Sequence, residues 1–479
     1  MTDKSLKKNF SYQAFYQIFV LLLPLFTSPY ISRVLGPSSL GIYSYYYSVA
    51  NYFVLFAMLG INNYGNRLIS SCRKDGKSII SKEFSSLAFV HAIVSLVCLA
   101  LYVAYALFVV SANERTIAII QGLMIIGALF DINWFFFGLE EFKLTVTRNT
   151  VVKIVTVGFI FIFVREQGDL WKYCLIMVGG TAASQIVVWP FLKNYINITL
   201  PQKSDILKHI KPLFILFIPV LAVSVYKIMD KIMLGQLATK TDVGYYDNAE
   251  KIITIFNTVI ASFGTVMLPR MNNLFAEGKN SEGLSYIDKS LNYILVFSYA
   301  VAFGVGSIAD NFSVWFWGNS YAESGRILAI LVFTLPFVAF ASVIRMQYLI
   351  PKHEDKAYII SVCGGALVNL TANILLIPKY SGVGAAIGTL LAEIFVCVFQ
   401  MYTVRNEVNC MIYVRKSIPY LLSAFLMYVT VRFVGFYLND SPIFIKLISQ
   451  IVIGAIVYLI PSCLWLQKTT NFLAKLLKR

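Results

Sequence analysis

The stretch FSSLAFVHAIVSLVCLALYVAYALFVV, residues 84–110, decides the fold class. Its 27 residues hold no Asp, Glu, Lys or Arg. At about 1.5 Å per residue a helix of that length reaches about 40 Å, more than the ~30 Å hydrocarbon core of a bilayer. Working outward, breaks at polar turns predict further apolar spans near residues 10–32, 40–62, 116–138, 144–164, 170–192, 212–234, 243–268, 290–313, 325–350, 357–377, 382–404, 416–437 and 443–466. Together they make about fourteen membrane helices.

The whole chain agrees with that reading. Its 479 residues are 58% hydrophobic and 13% charged, with a mean hydropathy of +0.71, whereas soluble domains carry about 25% charged residues. The net charge of +16 does not indicate nucleic acid, because the bases sit in short loops between apolar runs rather than along one helix face. Lys4, Lys7 and Lys8 ahead of an apolar run imitate a secretory signal, but that run is long, contains Pro24 and Pro29 and has no small-residue cleavage site. It reads as a retained first helix. Seven scattered cysteines, with no CxxC spacing, read as small buried hydrophobes rather than a disulfide or zinc framework.

Orientation follows from the loop bases. Alternate loops and both termini collect 26 Lys and Arg, Lys143 and Arg148 at the start of the fifth span among them, while the opposite loops hold seven. Cytoplasmic loops are the base-rich ones, so both termini are expected in the cytoplasm. An internal echo links SRVLGPSSLGIYS (32–44) to KIMLGQLATKTDVGYYD (231–247), pairing Gly36 with Gly235, Gly41 with Gly244 and Tyr43 with Tyr246. Copies six spans apart share one orientation, a known transporter plan. The expected organisation is all-α: a six-helix lobe over 1–195, a cytoplasmic inter-lobe loop over 196–211, a second six-helix lobe over 212–404, and two appended helices with a basic tail over 405–479.

Ionisable residues inside spans are the site candidates, because their burial in lipid is costly unless they face protein or water. The bases are Lys153, Lys227, Lys231, Lys251, Arg345, Arg432 and Lys446, of which the last two lie near span ends and are expected to snorkel. Asp131, Asp230, Asp247, Glu250, Asp310 and Glu393 oppose them. Lys227, Asp230 and Lys231 share one helix face, as do Asp247, Glu250 and Lys251, so ion pairing and ligand binding are both open to them. Lysine and arginine in a cavity suit a phosphate or pyrophosphate, and Lys231 and Lys251 are the expected holders. The tyrosines, Tyr43 and Tyr45–Tyr47 among them, read as interfacial anchors or packing, with stacking on sugars as the alternative. His91 reads as a satisfied core residue. No P-loop, HExxH or GxSxG is present, and no loop is long enough to fold into a catalytic domain, so an enzyme is not expected.

Several segments resemble Wzx-type polysaccharide flippases of the multidrug/oligosaccharidyl-lipid/polysaccharide exporter superfamily: PLFTSPYISRVLGPSSLGIYS (24–44), LGINNYGNRLIS (59–70), DINWFFFGLEEFK (131–143), DKIMLGQL (230–237), VGYYDNAEKI (243–252) and NLTANILLIPKYSGVGAAIGTLLAE (369–393). The resemblance implies two six-helix lobes plus two helices around a cavity. It also implies alternating access and an undecaprenyl-pyrophosphate-linked oligosaccharide repeat unit as substrate, for capsule or other surface polysaccharide. Membrane lipids, a polysaccharide polymerase and glycosyltransferases are the implied partners. Related lipid II flippases bind sodium between helices seven, eleven and twelve; the similar positions here are Asp230, Asn369, Asn373 and Thr389 with the Ala385 carbonyl. Asn373 stands where those relatives can place a second acid, which weakens the charge compensation for Na+ and leaves H+ coupling through Asp230 or Glu393 open. A multidrug or metabolite antiporter of the same superfamily is the alternative, disfavoured by helices thirteen and fourteen. A polymerase would need a large external loop, and a scaffold would leave the intramembrane charges unexplained.

Overall fold

Apolar runs of this length satisfy their backbone hydrogen bonds internally only as helices, and helices are what the chain forms. The computed structural model describes residues 3–470, with side chains from residue 20 onward except those of 142, 219, 222, 223, 225–227, 466 and 468–470. By internal contacts the chain divides into two units, residues 1–232 and 233–479. Among the described residues nine helices are long and apolar enough to cross a membrane, or ten when one bent pair is counted as a single span. The protein is thus a multi-pass membrane protein.

The first unit contains α1 (Asp3–Met58), α2 (Ile61–Cys72), α3 (Lys77–Phe108), α4 (Ala112–Gln121), α5 (Leu123–Leu129), α6 (Asn133–Gly138), α7 (Phe142–Phe163), α8 (Leu170–Ile186) and most of α9 (Lys203–Leu237). α1 is two helices joined at Gly36, whose φ of 73° and ψ of 170° leave the helical region. Only glycine takes that conformation without strain. Gly60 turns the chain into α2 at φ 74°, and a Cβ there would stand 3.0 Å from the Phe217 backbone nitrogen. Beneath it an aromatic core forms around fully buried Trp134, stacked on Phe84 with ring centroids 5.4 Å apart. α2 reaches Trp134 through Gly65, where a Cβ would come within 2.5 Å of the indole.

The second unit contains α10 (Lys240–Ala276), α11 (Asn280–Trp317), α12 (Ala322–Leu331), α13 (Thr334–Ile344), α14 (Asp355–Thr403), α15 (Cys410–Tyr437) and α16 (Ile443–Thr470). α10 starts on a reciprocal capping box, Thr239 and Asp242 each accepting from the other's backbone N–H. α12 and α13 form the bent pair, at 42°, and α13 runs into a π-helical turn at Arg345–Leu349. α14 folds back on itself at Ser381 (φ 47°, ψ −128°). Its two arms approach closely because one side carries glycine: a Cβ at Gly388 would sit 2.3 Å from Asn373 Oδ1, and one at Gly365 would sit 2.5 Å from Val396 Cγ2. Close backbone approach through small residues is how helices associate in lipid. α15 and α16 pack on α11 through Ala424, Met427, Val431, Leu447 and Tyr458, and Tyr458 OH donates to the Val296 carbonyl at 2.7 Å.

The sequence echo falls on matching roles within each unit. Gly41 and Tyr43 are buried in α1, and Gly244 and Tyr246 are buried in α10.

Candidate functional site

In the second unit the folding of α14 brings three of the proposed ion-coupling residues to one place. Asn369 and Asn373, four apart on the first arm, are fully buried, and Asn373 Nδ2 donates to Asn369 Oδ1 at 3.2 Å. Gly388 of the second arm lies against Asn373, so the next residue, Thr389, sits beside the same pair of helical turns. Thr389 Oγ1 donates to the Ala385 carbonyl at 3.0 Å and meets Tyr246 OH at 3.0 Å. Amide, hydroxyl and carbonyl oxygens are the donor types a hard monovalent cation takes. Those oxygens also serve protein donors. Glu393, one turn past Thr389, is half-buried and makes no hydrogen bond or ion pair among the described residues. Asp230 belongs to the first unit, where it is buried at 5% exposure and its charge acts on Tyr52.

The bases divide by what they touch. Lys251 Nζ is 2.8 Å from Asp247 Oδ2 and 3.2 Å from Asn248 Oδ1, so the i, i+4 spacing on α10 forms an ion pair. Arg345, on the π-helical turn, makes no ion pair among the described residues; its guanidinium lies over the Tyr358 ring at 5.5 Å, and its buried Nε has no hydrogen-bond partner among them. In the first unit Lys231 is half-buried, as is Lys153 in the middle of α7. The Lys227 side chain lies outside the described residues. Arg432 and Lys446, expected to snorkel, each have an acceptor in the protein. Arg432 Nη1 pairs with Asp310 Oδ2 at 2.8 Å, and Lys446, 9% exposed, donates to Asn439 Oδ1 at 3.3 Å. His91 is buried as expected, but its Nε2 has no hydrogen-bond partner among the described residues.

One constellation was not legible in the sequence. Arg148, counted there among the cytoplasmic loop bases, is 9% exposed inside α7. Its Nη2 donates to Asn133 Oδ1 at 2.9 Å and to Asn149 Oδ1 at 2.8 Å. Asn133 Nδ2 donates to Gln185 Oε1 at 3.1 Å, Ser184 Oγ donates to Asn149 Oδ1 at 3.2 Å, and Asp131 Oδ1 accepts from the Asn133 N–H at 2.9 Å. The break between α5 and α6 at 130–132 thus turns Asp131 and Asn133 toward α7 and α8, and a buried guanidinium is held in an amide cage with a carboxylate close by. The one sequence signal was the pair of DINW and SQ dipolar groups inside otherwise apolar spans.

The profile of the family described as polysaccharide biosynthesis protein matches residues 6–275, more than half of the chain. The chain belongs to this family. Among curated relatives, a candidate O-antigen transporter of Escherichia coli K12 is 25% identical over 414 residues, covering 84% of this chain and 97% of the relative. The capsular polysaccharide biosynthesis protein CapF of Staphylococcus aureus is 25% identical over 411 residues, covering 82% and 98%. Among solved structures, the lipid II flippase MurJ in an inward closed conformation matches with a TM-score of 0.78 at 16% identity, over 95% of this chain and 99% of that one. An inward-facing multidrug resistance MATE transporter matches with a TM-score of 0.59 at 14% identity, over 82% and 95%. The structural likenesses carry the fold, and the resemblance drawn from the sequence segments holds at the level of the family.

Proposed function

We propose that this member of the polysaccharide biosynthesis family is a flippase, not an enzyme. It moves an undecaprenyl-pyrophosphate-linked oligosaccharide repeat unit from the cytoplasmic to the outer leaflet of the bacterial cell membrane, for capsule or other surface polysaccharide. The observation that carries the reading is the near end-to-end coverage of relatives named for O-antigen transport and capsule synthesis, 97% and 98% of their lengths. The MurJ fold supports a transporter built for a lipid-linked cargo.

The finer architecture belongs to the same proposal. Splitting α1 at Gly36 and α14 at Ser381, and counting α4–α6 and α12–α13 as single spans, supports about fourteen crossings, an even number that leaves both termini on one side, which the loop bases make the cytoplasmic one. The two-lobe division at 1–195, 196–211, 212–404 and 405–479 follows from that count. Transport proceeds by alternating access, with Lys153, Lys227, Lys231, Lys251 and Arg345 along the substrate path. It is coupled to a cation gradient, Na+ through Asp230, Asn369, Asn373 and Thr389 or H+ through Asp230 or Glu393. A polymerase and glycosyltransferases act on either side of the step.

Deleting the gene in its own host tests the reading. Lipid-linked repeat units should accumulate with cytoplasmic-leaflet topology, surface polysaccharide should fall, and the chain supplied in trans should reverse both. Normal surface polysaccharide together with sensitisation to cationic drugs would favour a multidrug antiporter instead.

A further inference from the structure

The intramembrane bases are not equivalent once their partners are known. Lys251 is neutralised by Asp247 at 2.8 Å, and Arg148 is caged by amides with Asp131 close by. A base already paired offers little net charge to an incoming anion. Lys153 makes no hydrogen bond and no ion pair among the described residues.

Its position on α7 excludes the bland explanation that it hides in a lipid-facing flank. Val151, Ile154, Val155, Phe159 and Ile162 are exposed and form the apolar outer face. Lys153 lies on the opposite face, with half-buried Asn149 at i−4, buried Thr156 at i+3 and buried Ile160 at i+7. Asn149 is itself the end of the Arg148 cluster. Ten residues separate Lys153 from Lys143 at the helix start, about 15 Å of rise, which is half of a ~30 Å hydrocarbon core. An ammonium held there with no counter-charge costs about 3 kcal/mol or more, so its retention on a polar inner face points to an anion that arrives and leaves.

We propose that Lys153 is a residue of the first unit that takes the pyrophosphate of the lipid-linked substrate, as a point charge, when that group passes the middle of the membrane. The proposal rests on the flippase reading. Lysine suits this task because its ammonium offers three rotatable donors to oxyanions presented at changing angles. The same oxyanion chemistry is carried by the headgroups of anionic membrane lipids, and the experiment separates the two sources.

The full-length protein in nanodiscs is titrated with undecaprenyl pyrophosphate, with undecaprenol and with phosphatidylglycerol, comparing wild type, Lys153→Ala, Lys153→Met, Lys153→Arg and the outer-edge control Lys172→Ala. Expected is a loss of at least tenfold in undecaprenyl pyrophosphate affinity for Ala and Met, recovery to within about threefold for Arg, and no change for Lys172→Ala. Undecaprenol and phosphatidylglycerol should bind all variants alike. The Met variant keeps length without charge and guards against misfolding of the Ala variant. Wild-type affinity in Lys153→Met overturns the assignment while leaving the flippase reading intact, as does an equal loss for phosphatidylglycerol. No binding of undecaprenyl pyrophosphate by the wild-type chain counts against both.

Discussion

Ser86 Oγ on α3 stands 2.8 Å from Nε2 of His209 near the start of α9. Tyr64 OH meets Nδ1 of the same ring at 2.8 Å, and the imidazole is fully buried. Around it the segment between α8 and α9 is laced to α3. Ser81 and Ser85 hydroxyls accept from the N–H groups of Asn197 and Thr199, both at 3.0 Å. Lys82 pairs with Asp205 at 3.0 Å and Lys208 with Glu83 at 2.6 Å. The expected inter-lobe loop is thus held to α3 of the first unit by a ladder with a neutral histidine at its centre.

That ladder predicts a pH dependence with a definite sign. Burial pushes the His209 pKa below 6.5; Lys208 adds to the effect, while Glu83, 3.7 Å from Nε2, and Asp205 oppose it. An unfolded chain takes up the proton first, so the stabilisation is complete above pH 6.5 and is lost as pH falls through and below that value. Melting of the purified protein followed from pH 8 to about pH 5.5 should show a falling midpoint, and His209→Gln should flatten the acid limb. An unchanged acid limb in that variant would remove His209 from the linkage.

The close approach of the α14 arms gives a second test. Gly388→Ala places a methyl 2.3 Å from Asn373 Oδ1, so the amide must move. Overpacking of this kind costs about 1–3 kcal/mol. The double variant Gly388→Ala with Asn373→Ala removes the clash, and a thermal-shift cycle should therefore show the two changes to be coupled. Additive effects would mean that the arms do not meet there.

Much of this architecture was legible because membrane spans are a compositional signal. The apolar run at 84–110 coincides with α3 to within two residues at its end, α3 adding a polar flank before it, and the polar turn between the spans at 357–377 and 382–404 contains the break at Ser381. The candidate corner at Asn369, Asn373 and Thr389 was legible only through family resemblance, and the structure adds Tyr246 to it. What sequence could not supply was partnership. The Asp247–Lys251 spacing allowed either pairing or ligand binding, and distance decided for pairing. Arg148 looked like a loop base because it begins an apolar run; its partner Asn133 lies on α6, and Gln185, which accepts from Asn133, lies on α8, so neither shares a local pattern with it.

The 26 to seven asymmetry of loop bases and the even span count predict that both termini face the cytoplasm. Reporter fusions at Lys478 and within the 235–242 turn should give opposite signals. Matching signals would reject the orientation.

The last prediction concerns Asp230, buried at 5% exposure and proposed as the acid of the coupling site. As a cation ligand it must be ionised, as a proton carrier it must alternate, and as a structural partner it need only balance a base. Asp230→Asn removes the charge and nearly preserves the shape, so under either coupling scheme it should abolish gradient-driven flipping while the protein still inserts. Under the structural scheme the variant strands a base instead, and neutralising that base should restore transport. Lys251 already has Asp247 as its ion-pair partner, which leaves Lys227, three residues before Asp230 on the same helical face, as the base to change. Complementation of a flippase-deficient strain with Asp230→Asn alone and with Asp230→Asn plus Lys227→Gln separates the schemes. Failure of both, with normal protein abundance, is the expected result. Recovery of surface polysaccharide by the double variant would reduce Asp230 to a charge balance and move the coupling role to Glu393, which lies one turn beyond Thr389 and has no partner among the described residues.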